Sequence, residues 1–328
     1  MTEVAGPSVL VRATAGELAR KRAGVAVAAI AGEGTAEAAA GRAAPDTVFE
    51  IGSLTKVFTS LLLARLVVAG KAALDEPVTD LLGAPVPERD GERITLRHLA
   101  THTSGLPRLP KGMFLPALLN PRKPDPYADC TAEFLLDGLT RTKLGATPGK
   151  RFRYSNLGAG LLGLALARRA GTTYERLVAE QISRPLGLTH TGLDDTGLTQ
   201  GHDRRSRPVA PWHLADLAGA GGLRSTVADL AVFARAQLDA DSTELAEAIR
   251  LTHTAEGHRM NRFTTMRLGW LELRRDGDSQ LWHNGATGGF TSFLAIRPTR
   301  HTAVAALSDT ARSVDRPAAD LLRALSTP

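Results

Sequence analysis

Strand-forming segments sit at both ends of this chain with a long helical stretch between them, and that order most limits how it can fold. Val25 to Ile30 is a short apolar run, and Gly32 to Gly34 is a hairpin turn leading to a second strand, Glu37 to Ala40. Near the other terminus Met266 to Leu273, Gln280 to Trp282, Gly289 to Ile296 and Thr302 to Leu307 have the same character. Between them, Thr55 to Ala69 carries Phe58, Leu61, Leu62 and Leu66 at helical spacing and ends before Gly70, a C-cap residue. Further helices are expected at Thr95 to Ala100, Thr131 to Leu139, Gly158 to Arg169, Tyr174 to Ile182 and Ala228 to Leu238, the last capped by Ser225-Thr226. Val9 to Lys21 and Asp315 to Leu325 predict terminal helices. End segments of one sheet interrupted by a helical insertion imply a two-lobed α/β protein with a cleft between the lobes. The expected division is one domain over 1–328, with a sheet lobe at about 1–55 and 225–328 and a helical lobe at about 56–224. Pro107 to Pro126 is proline-rich with little periodicity and reads as a long excursion, a lid over the cleft.

Composition narrows the classes. With 43% hydrophobic and 23% charged residues the chain can bury a core. The net charge of +6 comes from alternating acidic and basic residues rather than a basic arm, so no nucleic-acid partner is expected. Cys130 is the only cysteine, which excludes an intrachain disulfide. Lys21-Arg22 followed by Val25 to Ala31 imitates a signal peptide, but a stretch containing Glu3 and Glu17 precedes it where a short basic region would stand. No apolar run is long enough to span a bilayer. A cytoplasmic protein without a membrane partner is the expectation.

Chemistry is concentrated in three places. Ser53-Leu54-Thr55-Lys56 stands where an extended stretch passes into the apolar helix. A serine there lies near a helix N-terminus, where amide N–H groups favour developing negative charge, and the residue three on shares its face. A serine hydroxyl needs a base, and a lysine whose pKa is lowered by burial can be one. Tyr154-Ser155-Asn156 follows about 100 residues later on a loop before a helix, bringing a phenol able to shuttle a proton and a carboxamide able to orient Lys56 or donate to a carbonyl. His283-Asn284-Gly285 is read at the start of a glycine-rich strand, where a glycine admits the substrate backbone and Ala286 N–H is an oxyanion donor beside that of Ser53. Each motif alone has an ordinary alternative: an N-cap with a solvated lysine, a turn with a surface tyrosine, and a turn.

Together and in this order, the motifs resemble those of the S-x-x-K serine hydrolases: class C β-lactamases, DD-peptidases and the related family VIII esterases and transacylases. The likeness extends to Phe49 through Lys56, to Ile94-Thr95-Leu96-Arg97-His98-Leu99-Ala100-Thr101-His102-Thr103-Ser104-Gly105-Leu106, to Pro185 through Leu188, to Gly221 through Thr226 and to Gly288-Gly289-Phe290. It implies an α+β fold with an antiparallel sheet flanked by helices plus a mostly helical lobe. It implies Ser53 as the acylated nucleophile, with Lys56 and Tyr154 sharing acid–base work and the first proton acceptor left open. Asn156, His283, Asn284, Gly285 and Ala286 would bind substrate, with no cofactor and no metal. His98 and His102, four residues apart, suggest a metal pair in isolation, but they fall in a segment that is structural in such proteins. His190, Trp212 and His213 are further candidates to line the cleft.

One departure bears on substrate. Where many of these enzymes carry Lys-Thr-Gly this chain has His283-Asn284-Gly285, and a histidine is mostly neutral at pH 7. An esterase or amidase on a small acyl substrate is therefore the leading expectation. The alternatives are an intracellular transacylase or amide synthase using an amine or alcohol acceptor, a β-lactamase or DD-peptidase, and a non-catalytic binding module.

Overall fold

The computed structural model describes residues 6–113, 125–275 and 277–325. Its elements run in the order α1 (Pro7–Ala19), β1 (Gly24–Ala31), β2 (Gly34–Gly41), β3 (Phe49–Glu50), α2 (Thr55–Val68), α3 (Thr79–Leu82), α4 (Leu96–Ala100), α5 (Ala132–Thr140), α6 (Asn156–Ala170) and α7 (Tyr174–Val178). Next come β4 (Gly201–His202), β5 (Pro208–Val209), β6 (Arg224–Ser225), α8 (Val227–Leu238), α9 (Ala246–Thr254), β7 (His258–Arg259), β8 (Thr264–Met266), β9 (Leu271–Arg275), β10 (Asp278–Ala286), β11 (Thr291–Arg297), β12 (Thr302–Ser308) and α10 (Asp315–Leu325).

The two ends of the chain share one antiparallel sheet of eight strands, ordered β2-β1-β12-β11-β10-β9-β8-β7. The joint is β1 on β12, with Val25 opposite Ser308 and Ala31 opposite Thr302. Both faces of the central strands are covered, so they lack the polar alternation of a half-exposed sheet. Val25, Val27 and Ala29 of β1, Phe293 and Ala295 of β11, and Val304 and Ala306 of β12 pack with Val11, Leu18, Leu321 and Leu322 of the terminal helices. The alternate residues Ala26, Ala28, Ile30, Leu294, Ile296, Ala303, Ala305 and Leu307 face the larger core, which takes in α2, α6 and α8. Helix α2 lies inside that core, and Thr55 through Ala64 are all buried. A helix enclosed on every side needs no polar stripe, and Lys56, Thr59 and Ser60 are buried with their apolar neighbours.

Several local expectations change. Met266 to Leu273 is a hairpin rather than one strand: Gly269 turns at φ +74° and lies against α2, where a Cβ would come 2.8 Å from Lys56 O. Strand β10 runs on past Trp282 to Ala286 because its pairing with β11 continues to Ala286 opposite Thr291. His283-Asn284-Gly285 thus lies at the end of one strand, not at the start of the next. Helix α6 begins at Asn156 because Ser155 Oγ caps it, accepting from Gly158 N at 2.9 Å. Helix α9 and strand β7 have no counterpart among the expected elements, and Tyr174 to Ile182 passes from α7 into a π-helical turn over Ala179–Ser183. Residues 114–124 of the expected Pro107 to Pro126 lid lie outside the described residues. Among the described residues no helix is long and apolar enough to cross a membrane.

Candidate active site

The segment leading to Ser53 is clamped before the helix starts. Strand β3 pairs with β6, Ile51 N donates to Leu223 O at 3.0 Å, and Ser292 Oγ donates to Ile51 O at 2.6 Å. Gly52 then adopts φ +50°, and a Cβ there would come within 2.8 Å of Ala286 N. A single 3₁₀ turn, Gly52–Leu54, leads into α2 and leaves Ser53 at its mouth. Gly285 is equally constrained, since a Cβ on it would collide with Ile51 O and Ser292 Oγ. Gly285→Ala should therefore push β10 off the turn that carries Ser53. The expected result is a fall of about 10²-fold or more in kcat/KM, since misplacements of about 1 Å cost that much. A stability loss of about 1–3 kcal/mol should accompany it in denaturant titration.

Ser53 Oγ is the meeting point of two groups. Tyr154 Oη donates to it at 2.8 Å and Lys56 Nζ at 3.0 Å. Lys56, 2% exposed, also donates to Ala220 O at 2.5 Å, and its nitrogen sits 4.9 Å from the centre of the Tyr154 ring. Burial drives the lysine pKa below its ordinary value; Tyr154 opposes that shift and Arg108 adds to it. Thr59, one turn on, bonds Gly219 O at 2.8 Å, so α2 holds the Gly219-Ala220 carbonyls on the same face as Lys56.

Tyr154 owes its place to His102. The backbone of His102, at φ +55°, accepts from Arg153 N at 2.7 Å, while its Nδ1 accepts from Ser155 N at 3.3 Å. These two bonds bracket Tyr154, whose ring lies 4.4 Å from the imidazole centre. Because Nδ1 accepts, the neutral ring carries its proton on Nε2. Burial and the neighbouring Lys56 and His283 hold His102 well below the ordinary histidine pKa. His98 instead completes a capping box with Thr95 at the start of α4. The two histidines that suggest a metal pair are thus separately employed.

The surrounding cleft, about 490 Å³, is lined by Ser53, Tyr154, Asn156, His283 and Ala286 together with Arg108, Tyr127 and Trp212. Asn156 lies against the Tyr127 phenol, and its Oδ1 is buried without a partner among the described residues. Lys56 donates to Ser53 and Ala220 rather than to Asn156. Strand alternation separates the members of the third motif. His283 is buried on the inner face, where burial and Lys56 push its pKa down to about 4. The Asn284 carboxamide instead donates to Asp315 Oδ2 of α10 at 2.7 Å, so only the backbone of Asn284 is offered to the cleft. Trp212 packs 5.1 Å from Tyr127 and donates its backbone N–H to buried Glu50 at 2.6 Å. His213 pairs with Asp195 instead, and His190 N–H is taken by Asp229. Arg108, Tyr127 and the Ala220 carbonyl escaped sequence reasoning, and so did the role of His102, although the residue lies within the Ile94 to Leu106 segment.

A buried lysine and a phenol converging on one serine at a helix mouth, beneath an antiparallel sheet, define a serine-hydrolase class. The Beta-lactamase family model matches residues 10–327. The D-alanyl-D-alanine-carboxypeptidase/endopeptidase AmpH of Escherichia coli is 31% identical over 281 residues, covering 78% of this chain and 69% of that protein. A β-lactamase of Pseudomonas fluorescens is 27% identical over 302 residues, 80% of each chain. The octameric penicillin-binding protein homologue of Pyrococcus abyssi superposes with a TM-score of 0.80 at 26% identity, over 98% of this chain and 76% of that one. The chain belongs to the Beta-lactamase family.

Proposed function

We propose that this protein cleaves esters or amides of a small acyl group through an acyl-enzyme on Ser53. One observation carries the reading: Ser53 Oγ lies within hydrogen-bond reach of both Lys56 Nζ and Tyr154 Oη inside the cleft. The proton leaves Ser53 for this pair as Oγ attacks the acyl carbonyl, and the tetrahedral oxyanion faces the N–H groups of Ser53 and Ala286. Tyr154 then passes a proton to the departing alkoxide or amine, and Ser53 is left acylated. Water attacking that ester returns a proton to the pair and frees the enzyme. Burial lowers the Lys56 pKa from its ordinary value, the direction that eases its use as the base.

His283 shapes the substrate range. With its pKa pushed to about 4, it offers no fixed positive charge at the β10 edge at neutral pH. That favours substrates not anchored there. A DD-carboxypeptidase is the second reading, favoured by the identity to AmpH.

Incubation with a chromogenic short-chain ester should release phenol, and intact mass under single-turnover conditions should show one acyl group on Ser53. No adduct and no turnover would refute the acyl-enzyme. A D-alanyl-D-alanine peptide run in parallel separates the two substrate readings. Adding an excess of a primary amine should leave free acid as the main product; an amide as the main product would replace hydrolysis by acyl transfer.

A further inference from the structure

The cleft has an unanswered charge. Among the described side chains that line it, Arg108 alone carries a formal charge, and neither Asp nor Glu is among them. The position is anchored: Arg108 O accepts from Asn156 N at 2.9 Å and from Leu157 N at 3.2 Å, which ties it to the first turn of α6. Its guanidinium lies over the Tyr154 ring, 5.3 Å from the centroid. Stacking of this kind orients the planar fork while leaving its N–H donors free. Among the described residues no carboxylate takes those donors, whereas Arg97 has Asp75, Arg224 has Asp195 and Arg267 has Glu272. The fork stands on the Tyr154 and Asn156 side of the cleft, which His283 also lines from β10.

We propose that Arg108 binds an anionic group of the substrate, so that the acyl compounds attacked by Ser53 carry a carboxylate reaching towards the Tyr154 side of the cleft. This rests on the acyl-enzyme reading and gives it a substrate class. The positive charge missing from the third motif is supplied from beside Tyr154, so that an anion is accepted in a different place. A planar guanidinium takes a carboxylate through two parallel N–H···O bonds. The arginine is exposed, so the attraction is screened by salt and grows as ionic strength falls.

Two ester pairs test this and locate the charge. Mono-4-nitrophenyl glutarate against 4-nitrophenyl valerate places the carboxylate on the acyl side. The anion of 4-acetoxybenzoic acid against 4-acetoxybenzamide places it on the leaving group. In one pair the charged member should have a kcat/KM about tenfold or more above the neutral one, mainly through a lower KM, as expected for one charge-assisted contact. Arg108→Gln should collapse that ratio towards one, Arg108→Lys should retain part of it, and added salt should reduce it in the wild type and the lysine variant but not in Arg108→Gln. A wild-type ratio near one in both pairs, or a ratio that survives in Arg108→Gln, overturns the proposal. Failure of every ester, with no adduct on Ser53, would instead remove the acyl-enzyme on which it stands.

Discussion

Ser53→Ala is expected to lower kcat/KM for a short-chain ester by about 10⁴-fold or more, the scale seen when a nucleophile is removed from a serine hydrolase. Lys56→Met should cost about 10³-fold or more by the same reasoning, because the side chain of Met cannot accept the serine proton. The two effects should not add, since both residues serve one step. Lys56→Met removes a buried polar amine but leaves Ala220 O without its donor. These changes oppose each other, so Tm should move by no more than about 5 °C, which separates a chemical defect from unfolding. The pH profile adds an independent reading. A lysine acts as base only when neutral, so kcat/KM should rise with pH and level off below the ordinary lysine pKa, in the direction that burial shifts Lys56. Lys56→Arg should stay inactive across the range because a guanidinium does not deprotonate. An active arginine variant would show that residue 56 is not the base.

Stability should fall steeply between pH 6.5 and 4, and histidine burial is the reason. His98, His102, His253 and His283 all have pKa values lowered by burial, with His253 and His283 down to about 4. In the unfolded chain each titrates near 6.5. Below that pH the unfolded state takes up protons that the folded state refuses, so the stabilisation present at neutral pH is lost as pH falls towards 4. Each fully excluded proton contributes a slope of about 1.4 kcal/mol per pH unit, or a few kcal/mol per residue over the window. Glu50 and Asp309, whose pKa values burial raises, act in the opposite direction and offset part of the loss. Replacing one histidine at a time isolates its share. His253, which bonds Gln237 at 3.0 Å and lies away from Ser53, is the cleanest. Denaturant titrations of His253→Gln should give a stability–pH slope shallower by about one proton between pH 6 and 4.5. An unchanged slope would mean that His253 is protonated within the folded protein.

The chain announces its chemistry through local spacing. Ser53 and Lys56 are three residues apart at the start of an apolar run, and any helix begun there puts both on one face. The short apolar runs Val25 through Ile30 and Thr302 through Leu307 mark strands that must be covered, and the order of strands and helices places both in one sheet. Those are short-range patterns, and the structure keeps them. The hairpin at Gly269 and the extension of β10 were not legible because both depend on which strand lies alongside.

What the linear order leaves open is direction and company, because these depend on groups distant in the chain. Asn284 stands between His283 and Gly285, yet its amide turns to Asp315 on the outer face. The pleat allows no other outcome once β10 is registered on β11. Lys56 is buried only because α2 is enclosed by the 219–220 carbonyls, the hairpin at Gly269 and α6. His102, read from sequence as a member of a structural segment, turns out to bracket Tyr154 from both sides. A residue's neighbours along the chain set its conformation, but its pKa and its partners follow from segments a hundred or more residues away that packing brings within a few ångströms.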